Sequence, residues 1–151
     1  MTSSPTAGGP AAGLDLESCI RYMTLDTALT AAVGDVMVVK QDGTMSVIKV
    51  PATADLQYGT FCVCLQAQTV AAGVVLVGFR GKFDFVKLEG TTDIALTDPL
   101  IAVDAQRYLV DGAASTACDK VLGWATAAYT TNAVALKTVW FDGLTGFGHV
   151  I

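Results

Sequence analysis

Residues 36–50 read Val36-Met-Val-Val-Lys-Gln-Asp-Gly-Thr-Met-Ser-Val-Ile-Lys-Val50, and their pattern decides the fold class. Two apolar runs rich in β-branched side chains flank Asp42-Gly43. That dipeptide accepts the positive φ a tight hairpin turn requires, so the stretch predicts two antiparallel strands. Further short runs of valine, aromatics and threonine lie at 60–67, 73–79, 82–88, 100–103, 107–110, 120–127 and 133–141, each bounded by Gly, Asp, Pro or Asn. No long helical crossover separates them, which points to a small antiparallel β-sandwich or barrel rather than a parallel α/β sheet. No internal repeat is evident.

Upstream of these runs the texture changes. Residues 1–13 are rich in Thr, Ser, Pro, Ala and Gly, a composition that buries too little apolar area to offset the entropy of ordering. They are expected to form an extended arm that orders only against another polypeptide, with residues 14–151 as the single mostly β domain. Leu16, Ile20 and Met23 recur at helical spacing behind Asp15 and Glu17, and predict one short helix over 15–24.

Composition narrows the function. Of 151 residues, 52% are hydrophobic and only 15% charged, so part of the surface is expected to be covered by a partner. The net charge of −5 disfavours direct nucleic-acid binding, which draws its affinity from basic side chains. Twelve of the fourteen acids are Asp, and Asp35, Asp42, Asp111 and Asp142 each adjoin a glycine, which marks them as turn residues. The first twenty residues hold no basic side chain and no long apolar run, so the expectation is a protein made in the cytoplasm. The uncharged stretch from Leu56 to Phe79 is broken by Gln57, Gly59, Gln66, Gln68 and Gly73. It reads as two strands and a turn rather than a membrane span.

The side chains that carry chemistry do not assemble into a motif. His149 is the only histidine and stands two residues from the end of the sequence, a poor place for a precisely held general base. Cys62 and Cys64 share one face of a strand and read as buried thiols; with distant Cys19 and Cys118 they form no zinc spacing. Gly143-Leu-Thr-Gly-Phe-Gly148 has too little chain after it to open the helix of a phosphate loop. Arg80-Gly-Lys-Phe83-Asp-Phe85 carries aromatics two apart, as an RNA-stacking strand does, but reads as an ordinary strand with both rings on one face. The expectation is a protein with no catalytic residues, cofactor or metal.

Four segments, Gly34-Asp-Val-Met-Val-Val39, Gly78-Phe-Arg-Gly-Lys-Phe-Asp-Phe-Val-Lys87, Val121-Leu-Gly-Trp-Ala125 and Ala133-Val-Ala-Leu-Lys-Thr-Val-Trp-Phe-Asp142, carry a family likeness by their order. The chain from Thr30 onward resembles the small decoration, or cement, proteins of tailed-bacteriophage heads. That resemblance implies a compact β domain on the outer surface of a virion, a homotrimer, and an arm that orders on the major capsid protein. Within the arm, Thr2, Ser3, Ser4, Pro5, Thr6 and Ala7 are the candidate partner-binding residues. Two other classes share the texture: another virion subunit such as a tail tube, fibre or connector, and a small β-barrel ligand-binding protein or enzyme.

Overall fold

The computed structural model describes residues 19–150. The described residues fold into ten strands: β1 (Ile20–Leu25), β2 (Val36–Val39), β3 (Val47–Lys49), β4 (Phe61–Cys64), β5 (Val74–Gly78), β6 (Arg80–Glu89), β7 (Leu100–Ala102), β8 (Leu109–Asp111), β9 (Gly123–Ala125) and β10 (Val134–Asp142). All nine runs read from the sequence appear. The hairpin forms as expected, with Val39 opposite Ile48 and Val38 opposite Lys49. Asp42 Oδ1 accepts bonds from the Thr44 and Met45 amides and the Thr44 hydroxyl, and Gly43 takes φ +88 at the turn.

The strands close into two barrels, one ordered β1-β3-β2-β4-β5 and the other β10-β6-β8-β7-β9. A barrel was expected, but not two, and not the parallel pair that each contains, β1 with β3 and β6 with β8. The expected helix at 15–24 is overturned where the structure describes it. Residues 20–25 pair with β5 along its length, Ile20 opposite Gly78 through Thr24 opposite Val74. Period-two alternation wins there: Met23 and Leu25 fill the first barrel while Ile20 and Tyr22 face outward. The arm and residues 14–18 lie outside the described residues.

The two barrels are one unit used twice. Each ring visits its first, third, second, fourth and fifth strands in that order. Leu25 pairs with Ile48, and Leu88, 63 residues on, pairs with Leu109, 61 residues on. The isolated bridge Ala31–Gln68 recurs as Ile94–Tyr129. A turn in which Ala32 N donates to Asp35 Oδ2 (2.9 Å) recurs where Ala95 N donates to Asp98 Oδ2 (2.7 Å). The sequence shows no repeat because barrel geometry fixes only which positions face inward, and apolar side chains of similar volume substitute freely there.

The first barrel also plugs an end of the second. Val36 and Val38 of β2 and Phe61 and Val63 of β4 point out of the first barrel and join Val86, Leu88, Leu100, Leu109, Val139 and Phe141 in one core. Met37, Val39, Cys62 and Cys64, at the alternate positions, fill the first barrel's own interior. Both strands are therefore buried on both faces, which is why their sequences run apolar without alternation.

A wedge fixes the plug. In the first barrel Thr24 N donates directly to Ser46 O (3.0 Å). At the matching place in the second barrel, residues 34–36 intervene: Lys87 N donates to Gly34 O (3.0 Å) and Val36 N to Arg107 O (2.9 Å). Gly34 has φ +88, and a Cβ there would lie 2.5 Å from Phe85 O, so only glycine fits. Between the two cations sits the carboxylate of Asp35, 1% exposed. It pairs with Lys87 through Oδ1 and with Arg107 (3.1 Å) and the Ala32 amide through Oδ2. Removing it would leave two cations facing a buried void, a loss on the order of 3 kcal/mol. Asp35→Ala is therefore expected to lower the urea-unfolding free energy by about 3 kcal/mol. Asp98→Ala, its half-exposed counterpart with one amide partner, is expected to cost only about 1 kcal/mol.

Candidate functional site

Among the described residues, the mouth of the first barrel and the outer face of the second have the shape and chemistry to engage a partner. Arg21, Val39, Met45, Thr60, Phe79 and Leu144 line a cavity of about 250 Å³ at the mouth. Arg21 shares the inward register of Met23 and Leu25 but stands at the rim, where it stays exposed. Its guanidinium has no hydrogen-bond or ion-pair partner among the described residues. Met45 is brought to the rim by the turn after Asp42, at φ +54. The bonds from the Thr44 side chain and backbone hold the Asp42 carboxyl below its ordinary value.

On the second barrel, Trp140 of β10 lies opposite Trp124 of β9. Phe147 packs edge-on to Trp124, ring centres 6.4 Å apart, and Lys82 Nζ stands 5.6 Å from the centre of the Trp140 ring. Trp140 is 53% exposed, and Val134 and Leu136 on β10 and Phe85 on β6 are also uncovered. Buried Val139 and Phe141 flank Trp140 in sequence, so alternation fixes that ring outward. A smaller apolar patch, Ile20, Tyr22 and Val74, marks the outside of the first barrel. Large apolar side chains grouped on a surface mark interaction sites in soluble proteins.

Phe83 and Phe85 do not share a face. The ladder between β6 and β10 shifts register between Lys137 and Val139, and this bulge turns Phe83 into the core against Phe141 while Phe85 stays exposed. Phe83, Phe85, Lys82 and Asp84 line a second cavity, about 240 Å³, with Val33, Cys64 and Leu65.

Several polar side chains are committed to structure. Lys120 is 6% exposed and its ammonium donates to Gly59 O, Gly143 O and Leu144 O at 2.8, 3.1 and 2.8 Å, tying both barrels together. Burial pulls its pKa down, partly opposed by the charge of Asp142. Burial pushes the Asp142 carboxyl up, but bonds from Thr145 and Leu144 and the charge of Arg80 outweigh it and leave the group below its ordinary value. Gly143 joins the barrels, its amide donating to Phe79 O and its carbonyl accepting from Phe61 N. The 143–148 stretch thus serves the seam and opens no helix. His149, exposed as expected, is nevertheless held: it bridges to Lys120, its Nε2 lies 2.7 Å from Gln57 O, and its ring packs near Tyr58. No group of three or more His, Cys, Asp or Glu among the described residues is placed to hold a metal ion. No helix among them is long and apolar enough to cross a membrane.

No protein-family model and no curated protein sequence matches this chain. The candidate partner-binding residues Thr2, Ser3, Ser4, Pro5, Thr6 and Ala7 lie outside the described residues. Sequence reasoning missed Arg21, Met45, Trp124 and Trp140 as surface groups. The signal for Trp140 was legible, an aromatic in the outward slot of the strand Val139-Trp140-Phe141. Arg21 carried no signal, because its place at a rim exists only once the barrel closes.

Cys62 and Cys64 point into the first barrel and are buried, whereas Cys118 is exposed. Burial, and then the charge of Asp35, push the Cys64 thiol up to about 12, and burial raises Cys62 well above its ordinary value. Native protein at pH 8 is expected to lose Cys118 to a thiol reagent within minutes while Cys62 and Cys64 react only on unfolding, as peptide mapping by mass spectrometry would show. Because these folded-state values are raised, stability falls as pH climbs from the ordinary thiol range toward 12: the unfolded thiols ionise and the buried ones do not. Replacing both cysteines with Ala is expected to flatten that alkaline slope in urea titrations.

Proposed function

We propose that this chain is a structural virion protein that decorates and stabilises a phage capsid by bridging major capsid protein subunits. The observation that supports it most is the exposed aromatic and aliphatic face of the second barrel, carried on a body in which buried Asp35 and Lys120 tie the two barrels together. A rigid body with apolar docking faces suits a load-bearing clamp, since each contact transmits force without the body deforming. The low proportion of charge on the chain fits a surface covered in the assembled particle. An extended arm can add a strand to an exposed sheet edge, and with each ring of the described residues closed on itself the edge in this reading belongs to the major capsid protein. Several modest contacts made together give the avidity that decoration requires.

Deleting residues 2–13 is expected to leave a domain that melts as the full chain does but no longer co-sediments with expanded capsids. Capsid binding as tight as that of the full chain would remove the arm from the account. Rings or tubes formed by the pure protein, with no affinity for capsids, would favour a tail-tube or connector subunit instead.

A further inference from the structure

Among the described residues, the contact between the barrels within one chain has a partly uncovered counterpart at the mouth of the first barrel and on the outside of the second. Within the chain, the outer face of the first barrel seals the end of the second. The Phe83 ring at that end lies over Gly78, where a Cβ would strike it. Matching the two barrels through their ladders gives the counterparts of both partners. Arg21 pairs with Val77 as Phe83 pairs with Val139, so Arg21 holds in the first barrel the place of Phe83 in the second. Val63 pairs with Gly78 as Trp124 pairs with Trp140, so Trp140 holds the place of Gly78.

The other groups at the two ends match as well. Phe79, Thr60 and Val39, which line the open mouth, occupy the places of Phe141, Val121 and Ala102 in the sealed one. The mouth of the first barrel is thus the equivalent of an end that the fold covers. On the second barrel, the part of the equivalent covering surface that carries Trp124 and Trp140 is uncovered, whereas Ile101 and Leu122, at the places of Val38 and Phe61, are already buried within the chain. One is an apolar cavity rimmed by an exposed guanidinium, and the other is a face with a half-exposed indole.

We propose that a second copy of this chain docks head to tail, the β9–β10 face of its second barrel seating on the mouth of the first. Phe83 over Gly78 within the chain is replaced between chains by Arg21 over Trp140. A guanidinium stacks on an indole with a favourable cation–π contact, and Lys82 already favours one side of that ring. The wedge has no counterpart between copies, because Thr24 bonds directly to Ser46 where Lys87 and Arg107 are parted. The contact between copies is therefore weaker than the one within a chain, and reversible. Different patches meet, so the association is heterologous and closes into a ring when the rotation permits. In a trimer it would set six barrels in alternation. This names the partner surface for the homotrimer that the family resemblance implies and rests on that expectation alone.

Arg21→Glu and Trp140→Glu alter exposed side chains at opposite ends of the contact, so both variants are expected to fold and melt as the parent does. In sedimentation velocity the full chain should associate, and each variant alone should show association weakened by about 30-fold or more. Mixed one to one, the variants retain one intact mouth and one intact face and should form a 1:1 dimer that grows no further. A parent chain that stays monomeric at all soluble concentrations, or a mixture that recovers no dimer, overturns the inference. Capsid co-sedimentation separates it from the decoration reading: self-association without capsid binding keeps the head-to-tail contact and sinks decoration, and capsid binding by a strictly monomeric chain does the reverse.

Discussion

Asp35 is the constraint on which the rest depends. Its carboxylate lies between Lys87 of the second barrel and Arg107 just before β8, inside a wedge of three residues that parts β6 from β8. An ion pair in such a place gains from low dielectric and loses to desolvation, and it holds only because the remaining acceptor capacity is met by the Ala32 amide. What the wedge secures is orientation. With it in place, Val36, Val38, Phe61 and Val63 complete the second barrel's core while the first barrel keeps an interior of its own, so each small barrel is stabilised by the contact with the other.

The duplicated architecture explains how one chain builds this. A five-stranded ring with one parallel pair needs few residues per strand, and the chain makes it twice. The two units differ where they meet. Asp35 and Asp98 close the same turn, yet only Asp35 faces cations. Gly78 and Trp140 occupy the same slot, yet one receives a neighbouring ring and the other is left on the surface. A surface that matches a buried one in position but not in use is the structural basis for reading this molecule as an assembling subunit.

Much of the fold was legible in the sequence. Asp42-Gly43 between valine-rich runs fixes a hairpin almost by itself, and each later strand is bounded by turn residues whose Asp side chains do cap the backbone, as at Asp42 and Asp142. Illegible features were those that depend on tertiary partners. Met23 and Leu25 have too short a run for period two to overrule the helical spacing of Leu16, Ile20 and Met23 until β5 lies beside them. The bulge that separates Phe83 from Phe85 leaves no local mark. The repeat was hidden because few matched positions keep identical residues, Leu25 with Leu88 and Phe79 with Phe141 among them. Of the candidate site, the sequence offered the apolar, weakly charged character; the outward slot of Trp140 was legible but went unread, and the place of Arg21 at a rim exists only once the barrel closes.

The most direct measurement is a cryo-electron reconstruction of the intact particle at a resolution that traces strands. The expected result is density for paired five-stranded barrels on the outer shell, with the Trp140 face of one copy on the Arg21 mouth of the next and the arm laid on the major capsid protein. A shell with no such density, or copies touching neither one another nor the capsid through these surfaces, would contradict the account.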